Sequence, residues 1–336
     1  MISARPGGSR IMESAGPMRR LTYILLAIAV IFLYGMLKEV GWANLDHCFR
    51  QVGYYGVLLF VPYGFVNYLA SLSWKFILAG KEGSPSIGRL FFLRLAGESL
   101  NQLTPTASLG GEPFKALRLK AGGVPWQDAT ASLVIHKGML ILSLVLYIFM
   151  SLALVPFVLP LKSSYLGILS LGAFLLGGGG VTFVIIQRRN PCANVIRLTE
   201  KWGLCPAFLK AKEAELATLD SSLSGFYREH PGRGFLAFAF FFMSWVLQSL
   251  EVYLIFWLLG HPIGWGVALC LDALAMLFVG LGFMIPAQLG VQDGGNILLS
   301  LGFHLGATLG AAFSIMRRIR EAFWLFLGLL VAAREK

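Results

Sequence analysis

PAQLGVQDGGNILLSLGFHLGATLGAAFSIMRRIRE, Pro286 to Glu321, decides how this chain is read. It sets an acid, Asp293, and three arginines, Arg317, Arg318 and Arg320, inside sequence apolar enough to lie in a bilayer. A charged side chain near the bilayer centre costs on the order of 3 kcal/mol or more, so such residues face a water-filled cavity or an ionic partner. The stretch has a counterpart earlier in the chain. Pro105 leads Glu112 by the same seven residues that separate Pro286 from Asp293. His136-Lys137 follow Glu112 at the distance at which Arg317-Arg318 follow Asp293, so one offset of about 181 residues relates all four positions.

Composition fixes the class. Hydrophobic residues make up 57% and charged residues 13% of the chain, and the mean hydropathy is +0.71. Soluble domains are roughly half apolar and about a quarter charged, so this is an integral membrane protein. Several apolar runs reach the ~20 residues that cross a ~30 Å hydrocarbon layer as a helix. Alternating ten-residue segments are nearly absent, which favours helices over an outer-membrane barrel. The formal charge of +11 belongs to cytoplasmic loops and headgroup contact, since no basic domain is present to grip nucleic acid. Cys48, Cys192, Cys205 and Cys270 show neither metal-ligand nor disulfide spacing, and no cofactor is expected. The expected fold is an all-α polytopic helical bundle with two inverted repeats and two re-entrant helical hairpins.

The organisation follows from apolar runs and their breaks. Residues 1–53 hold a basic tail and a first transmembrane helix, Leu21 to Leu37. No small-x-small cleavage site follows, so the helix is read as uncleaved despite Arg19-Arg20. Residues 54–187 form repeat 1, with a span from Tyr54 to Ala79 and further spans Trp126 to Phe157 and Leu161 to Ile186. Between them, Leu90 to Leu103 and Leu109 to Lys120 make a re-entrant hairpin broken at Pro105. Residues 188–233 form a cytoplasmic linker in which Leu209, Leu216, Leu219, Leu223 and Phe226 recur at helical spacing, an amphipathic helix. Residues 234–336 form repeat 2: a span Phe235 to Leu259, a hairpin around Pro286, and a last span Leu305 to Ala333. Gly177 to Gly180 lack the Lys-Ser/Thr ending of a phosphate loop and are read as close helix packing or a kink. Lys/Arg-rich connections alternate with neutral or acidic ones, which puts both termini on the cytoplasmic side. Three crossings separate the starts of the two repeats, and three is odd, so they are expected to lie inverted. Inverted repeats with broken helices near the midplane are the architecture of alternating-access transporters.

The candidate substrate-binding residues are Glu112, His136, Lys137, Asp293, Arg317, Arg318 and Arg320. Asn101, Pro105, Gly110, Gly111, Pro286 and Gly290 shape the hairpins that would present them. Half-helix N-termini offer backbone N–H groups and a positive dipole end to an anionic headgroup. Arginine binds phosphate bidentately, whereas lysine acts as a point charge. The same residues admit a structural reading. Glu112 and Asp293 would then cap or charge-match their helices, and Arg317–Glu321, Lys137–Glu112 and Arg318–Asp293 would be ion pairs. His136 would be a satisfied core residue. Glu98, Glu251 and Asp272 also fall in apolar context and are candidates to line the same cavity. No G-x-S-x-G, H-E-x-x-H or metal-spaced carboxylate set supports catalysis.

The motifs N-x-x-T-P-x-x-x-x-G-G-E at Asn101 to Glu112 and P-x-x-x-G-V-x-D at Pro286 to Asp293, with the basic pair Arg317-Arg318, resemble a known family. The chain is similar to the membrane domain of the lysylphosphatidylglycerol synthase/flippase group over about Tyr54 to Ala333, as a stand-alone form without the aminoacyl-transferase domain. The resemblance implies inverted repeats, re-entrant elements and movement of an aminoacylated phospholipid between leaflets. Pro105, Gly110, Glu112, Pro286, Gly290, Asp293 and Arg318 fit its pattern. Two positions depart from it: His136-Lys137 stands where an acidic-basic pair ending in Arg is expected, and Asp293 where Glu is usual.

The resulting expectation is a translocase that moves an anionic or phosphate-bearing lipid between leaflets of a bacterial-type inner membrane. Two alternatives stand beside it. One is a membrane-embedded enzyme, or enzyme subunit, acting on a phosphate-linked phospho- or polyprenyl lipid. The other is a non-transporting partner whose 188–233 region docks a lipid-biosynthesis enzyme.

Overall fold

A computed structural model describes residues 50, 52–103, 110–158, 163–187, 191–201, 213–281, 288 and 290–334. The expected first helix at Leu21 to Leu37, the breaks at Pro105 and Pro286, and Leu209 lie outside those residues. The described chain is helical and contains no strand. A 3-10 turn, Gly53–Leu59, runs into α1, Phe60–Ile77. Then follow α2 (Ile87–Leu103), α3 (Glu112–Ala121), α4 (Trp126–Val158) and α5 (Ser163–Gln187). The polar region holds α6 (Pro191–Lys201) and α7 (Glu213–Glu229). The remainder is α8 (Pro231–Leu258), α9 (Trp265–Leu281), α10 (Val291–Gly302) and α11 (Ala307–Arg334). Three stretches are long and apolar enough to cross a bilayer, Gly53–Ile77, Trp126–Val158 and Pro231–Leu258. The protein is therefore an all-α, multi-pass membrane protein.

The order of elements recurs. Counting the Gly53–Leu59 turn with α1, a long helix, a medium one, a short one and a long one appear as α1 to α4 and again as α8 to α11, each starting about 180 residues after its counterpart. Packing follows the same pattern in both sets. The two leading helices, α1 and α8, lie against each other, α2 packs on α11, and α9 packs on α4. The largest apolar core gathers Ile148 and Val155 of α4, Val252 and Phe256 of α8, Leu271 and Leu274 of α9, and Phe313 and Met316 of α11. A second core joins Trp74 of α1 and Leu78 just after it, Leu90 and Leu93 of α2, Leu119 of α3, and Leu133 of α4.

Small residues let these helices approach closely. A Cβ at Gly328 of α11 would overlap Ser99 Oγ of α2, and one at Gly111 would overlap the Gly97 carbonyl. Close backbone contact of this kind is how helices associate where surrounding lipid is as apolar as they are. The glycine run behaves in the same way: Cβ atoms at Gly177 and Gly180 would meet Phe149 at 2.9 Å and Ile141 at 2.8 Å on α4.

The amphipathic helix of the linker is α7, and it docks on the bundle. Leu223 and Phe226 are buried with Ala131, Ile135 and Met139 of α4 and Phe241 of α8. Asp220 of α7 accepts the backbone N–H groups of Cys192 and Ala193, both at 2.9 Å, so it satisfies the otherwise open first turn of α6. α8 begins at Pro231, inside the region expected as linker up to residue 233. Proline is favoured at a helix's first position, where its missing N–H costs nothing.

Candidate functional site

Arg317, Arg318 and Arg320 sit on α11, where each residue is turned about 100° from the last, at 3.6 residues per turn. Near neighbours in sequence are therefore aimed at different helices. Arg317 pairs with Asp272 of α9. Arg318 pairs with Asp293 of α10, with Nε donating to Oδ1 at 3.0 Å and Nη2 to Oδ2 at 2.8 Å. Arg320 Nε donates to Glu251 Oε1 of α8 at 2.9 Å, and its guanidinium lies 4.2 Å from the Tyr63 ring centre on α1. One helix is thus tied ionically to three others.

Each pair has a surrounding shell. Tyr147 of α4 donates to Asp272 at 3.1 Å, and Gln248 Nε2 of α8 approaches the same carboxylate at 3.4 Å. Ser314 donates to Asp293 Oδ1 at 2.5 Å and itself accepts from Asn296 at 3.2 Å. Asp293 Oδ2 also accepts the Gly290 N–H at 3.1 Å, so this acid caps α10 while it holds Arg318. Gly290 has φ +75°, a left-handed conformation that glycine adopts without strain and that lets the chain turn into the helix. Glu321 accepts from Arg318 Nη1 at 2.9 Å and from Gln292 at 3.0 Å.

The first set of helices builds its counterpart from lysine. Lys115 Nζ lies 2.7 Å from Glu112 and 3.1 Å from Glu98, with the Trp74 ring 5.9 Å away. Asn101 Nδ2 donates to Glu98 at 3.2 Å and Glu112 at 3.3 Å, while its Oδ1 accepts the Gly111 N–H at 2.6 Å. Asn101 therefore ties the end of α2 to the start of α3. Arg94 donates to Asn67 of α1.

Accessibility separates these pairs into two kinds. The Arg317–Asp272 side chains are 1% and 0% exposed, and Arg320–Glu251 5% and 1%. By contrast Asp293 is 31% exposed and Glu98 25%, although their partners Arg318 and Lys115 are buried. The first kind is sealed. The second presents one open face.

Several expectations change in this light. Arg317 meets Asp272 and not Glu321, because Glu321 is taken by Arg318. Glu112 meets Lys115 of its own helix. Lys115, which is not among the candidates read from the sequence, is 1% exposed. Its signal was the Glu112-x-x-Lys115 spacing, which places opposite charges on one helix face. The Arg318–Asp293 pair forms as the structural reading has it. His136 is buried between Trp74 and Phe241, and its Nε2 lies 3.2 Å from the Ala70 carbonyl. A carbonyl only accepts, so that nitrogen carries the proton. Tyr147 and Gln248, which sequence gave no reason to single out, complete the Asp272 shell. Among the described residues no group of three or more His, Cys, Asp or Glu side chains is placed to hold a metal.

Comparison with known proteins agrees with this architecture. Residues 22–328 match the family described as the lysylphosphatidylglycerol synthase TM region. The chain is 25% identical over 332 residues to a UPF0104 membrane protein of Methanothermobacter thermautotrophicus, covering 92% of this chain and 94% of the relative. It is 23% identical over 307 residues to the UPF0104 membrane protein MJ1595 of Methanocaldococcus jannaschii, covering 88% and 89%. No solved structure matches the chain. This protein belongs to the lysylphosphatidylglycerol synthase TM region family.

Proposed function

We propose that the protein is a lipid translocase that moves an anionic, phosphate-bearing lipid between leaflets of the inner membrane, with its two helix sets inverted and both termini cytoplasmic. The observation that carries this reading is the half-open ion pair Arg318–Asp293, a forked guanidinium held by a carboxylate that is 31% exposed. A phosphate fits the same fork, so a headgroup entering from that side competes with Asp293 for Arg318. Lys115 with Glu98 and Glu112 offers the equivalent exchange in the first set. Arg317 and Arg320, sealed against Asp272 and Glu251, keep α11 in register while the open pairs exchange partners. Lys137 of α4 adds a further positive charge near Glu98.

A docking role for the 188–233 region draws less support, because the apolar face of α7 is already spent on α4 and α8. The test is mass spectrometry of lipids retained when the protein is extracted with its surrounding bilayer, beside Lys137→Ala/Arg318→Ala. An anionic lipid enriched with the wild type and lost from the variant supports the assignment. Equal lipid profiles would reduce these charges to structural pairs.

A further inference from the structure

A translocase that holds a headgroup inside the bundle needs somewhere for the lipid's hydrocarbon to remain in the membrane. A lateral groove of about 350 Å³ lies between α1 and α2, lined by Val61, Gly64, Phe65 and Tyr68 of α1 and Phe91 of α2. That is within the size range of small-molecule sites. Its walls are apolar and face outward, with Phe65 and Val61 among the exposed side chains. At Gly64 the helix packs close to α11, where a Cβ would come within 3.3 Å of the Trp324 indole.

The inner side of the same segment is polar. Tyr63, next to Gly64, carries Arg320 over its ring, and Asn67 accepts from Arg94, one turn along α2 from Phe91. Two buried donors here have no hydrogen-bond partner among the described residues, Trp324 Nε1 and Arg94 Nε. Arg94 is itself 8% exposed. A buried donor left unpaired costs roughly 1–3 kcal/mol, so such groups mark a place where an acceptor is missing.

We propose that this groove seats one hydrocarbon chain of a phosphate-bearing lipid, whose polar end reaches inward toward Arg94 and Trp324. The inference rests on the translocase reading for the cargo's class, and adds where that cargo enters from the bilayer. The occupant is a lipid chain on two grounds. The lining is hydrocarbon-compatible throughout apart from the Tyr68 hydroxyl, and the unpaired donors on the inner side of the same α1 segment are complementary to an anionic oxygen.

Photolabelling tests this with the full chain in vesicles containing phosphatidylglycerol that carries a diazirine on one acyl chain. Wild type should be labelled preferentially on the peptides holding Val61 to Tyr68 and Phe91. Val61→Trp, a change on the lipid-facing side that fills the groove without touching the ionic pairs, should lower that labelling severalfold and slow leaflet exchange of a headgroup-tagged phosphatidylglycerol. Phe65→Ala, which keeps the groove open, should retain both. Label spread evenly over all lipid-facing helices overturns the proposal, as does unchanged exchange in Val61→Trp. A diazirine amino acid at Tyr68 that captures the Leu21 to Leu37 segment or a second copy in place of lipid also overturns it. Groove labelling in a wild type that exchanges no lipid would leave the seat standing and remove the translocase reading instead.

Discussion

At the scale of single residues, the decisive contrast is between Arg317 and Arg318, adjacent in sequence and different in circumstance. Arg317 and Asp272 are fully enclosed. Removing one member of such a pair strands a buried charge and costs about 3–5 kcal/mol, whereas replacing both with apolar groups of similar volume is often close to neutral. Asp272→Asn should therefore sharply lower the thermal unfolding midpoint in detergent, and Asp272→Leu/Arg317→Leu should recover most of it. A double variant as unstable as the single one would contradict the sealed-pair assignment. Arg318 should behave otherwise. Arg318→Lys keeps the charge but loses the fork, so lipid movement should fall while the unfolding midpoint shifts little, by comparing exchange rate and melting on one preparation. The sequence exposed the arginines because charge is conspicuous in apolar surroundings. It paired Arg318 with Asp293 but misassigned Arg317, since i,i+4 spacing points that residue at Glu321 while the fold supplies Asp272 from α9.

Elements were the most legible level. Apolar runs, prolines and glycines placed most of the described helices close to their true ends, because hydrophobic length and backbone breaks are local properties. What stayed hidden was which helices touch. The contact of α2 with α11 depends on Gly328 meeting Ser99 and Leu95, and nothing near Gly328 in sequence announces a partner more than two hundred positions away. Gly328→Ala should force those helices apart and destabilise the protein by about 1–3 kcal/mol, read as a lower unfolding midpoint. An unchanged midpoint would mean the interface yields freely. Asp220 offers a control remote from the site. Asp220→Ala removes both acceptors from the first turn of α6 and should cost about 1 kcal/mol, visible as faster amide exchange over α6 and α7, with lipid movement unaffected. Loss of movement would bring the linker into the mechanism.

For the whole molecule, the charges drawn into the two ionic clusters are balanced in number. Arg94, Lys115, Lys137, Arg317, Arg318 and Arg320 are matched by Glu98, Glu112, Glu251, Asp272, Asp293 and Glu321. The formal +11 therefore resides outside these clusters, and on the translocase reading proposed above an anion would enter them by exchanging for a carboxylate. Such exchange distinguishes the account from a fixed basic pocket. Composition and motif spacing were enough to recognise the membrane class and the family. They were silent on how much of Asp293 and Glu98 the folded helices leave open, on which the proposed exchange rests. The most direct measurement is leaflet exchange of a headgroup-tagged anionic phospholipid in vesicles holding the purified protein, with a neutral-headgroup lipid alongside and Arg318→Ala as the comparison. The account predicts protein-dependent exchange of the anionic lipid, little of the neutral one, and loss of the anionic signal in the variant with its fold intact. Equal exchange of both lipids, or none above protein-free vesicles, would contradict it.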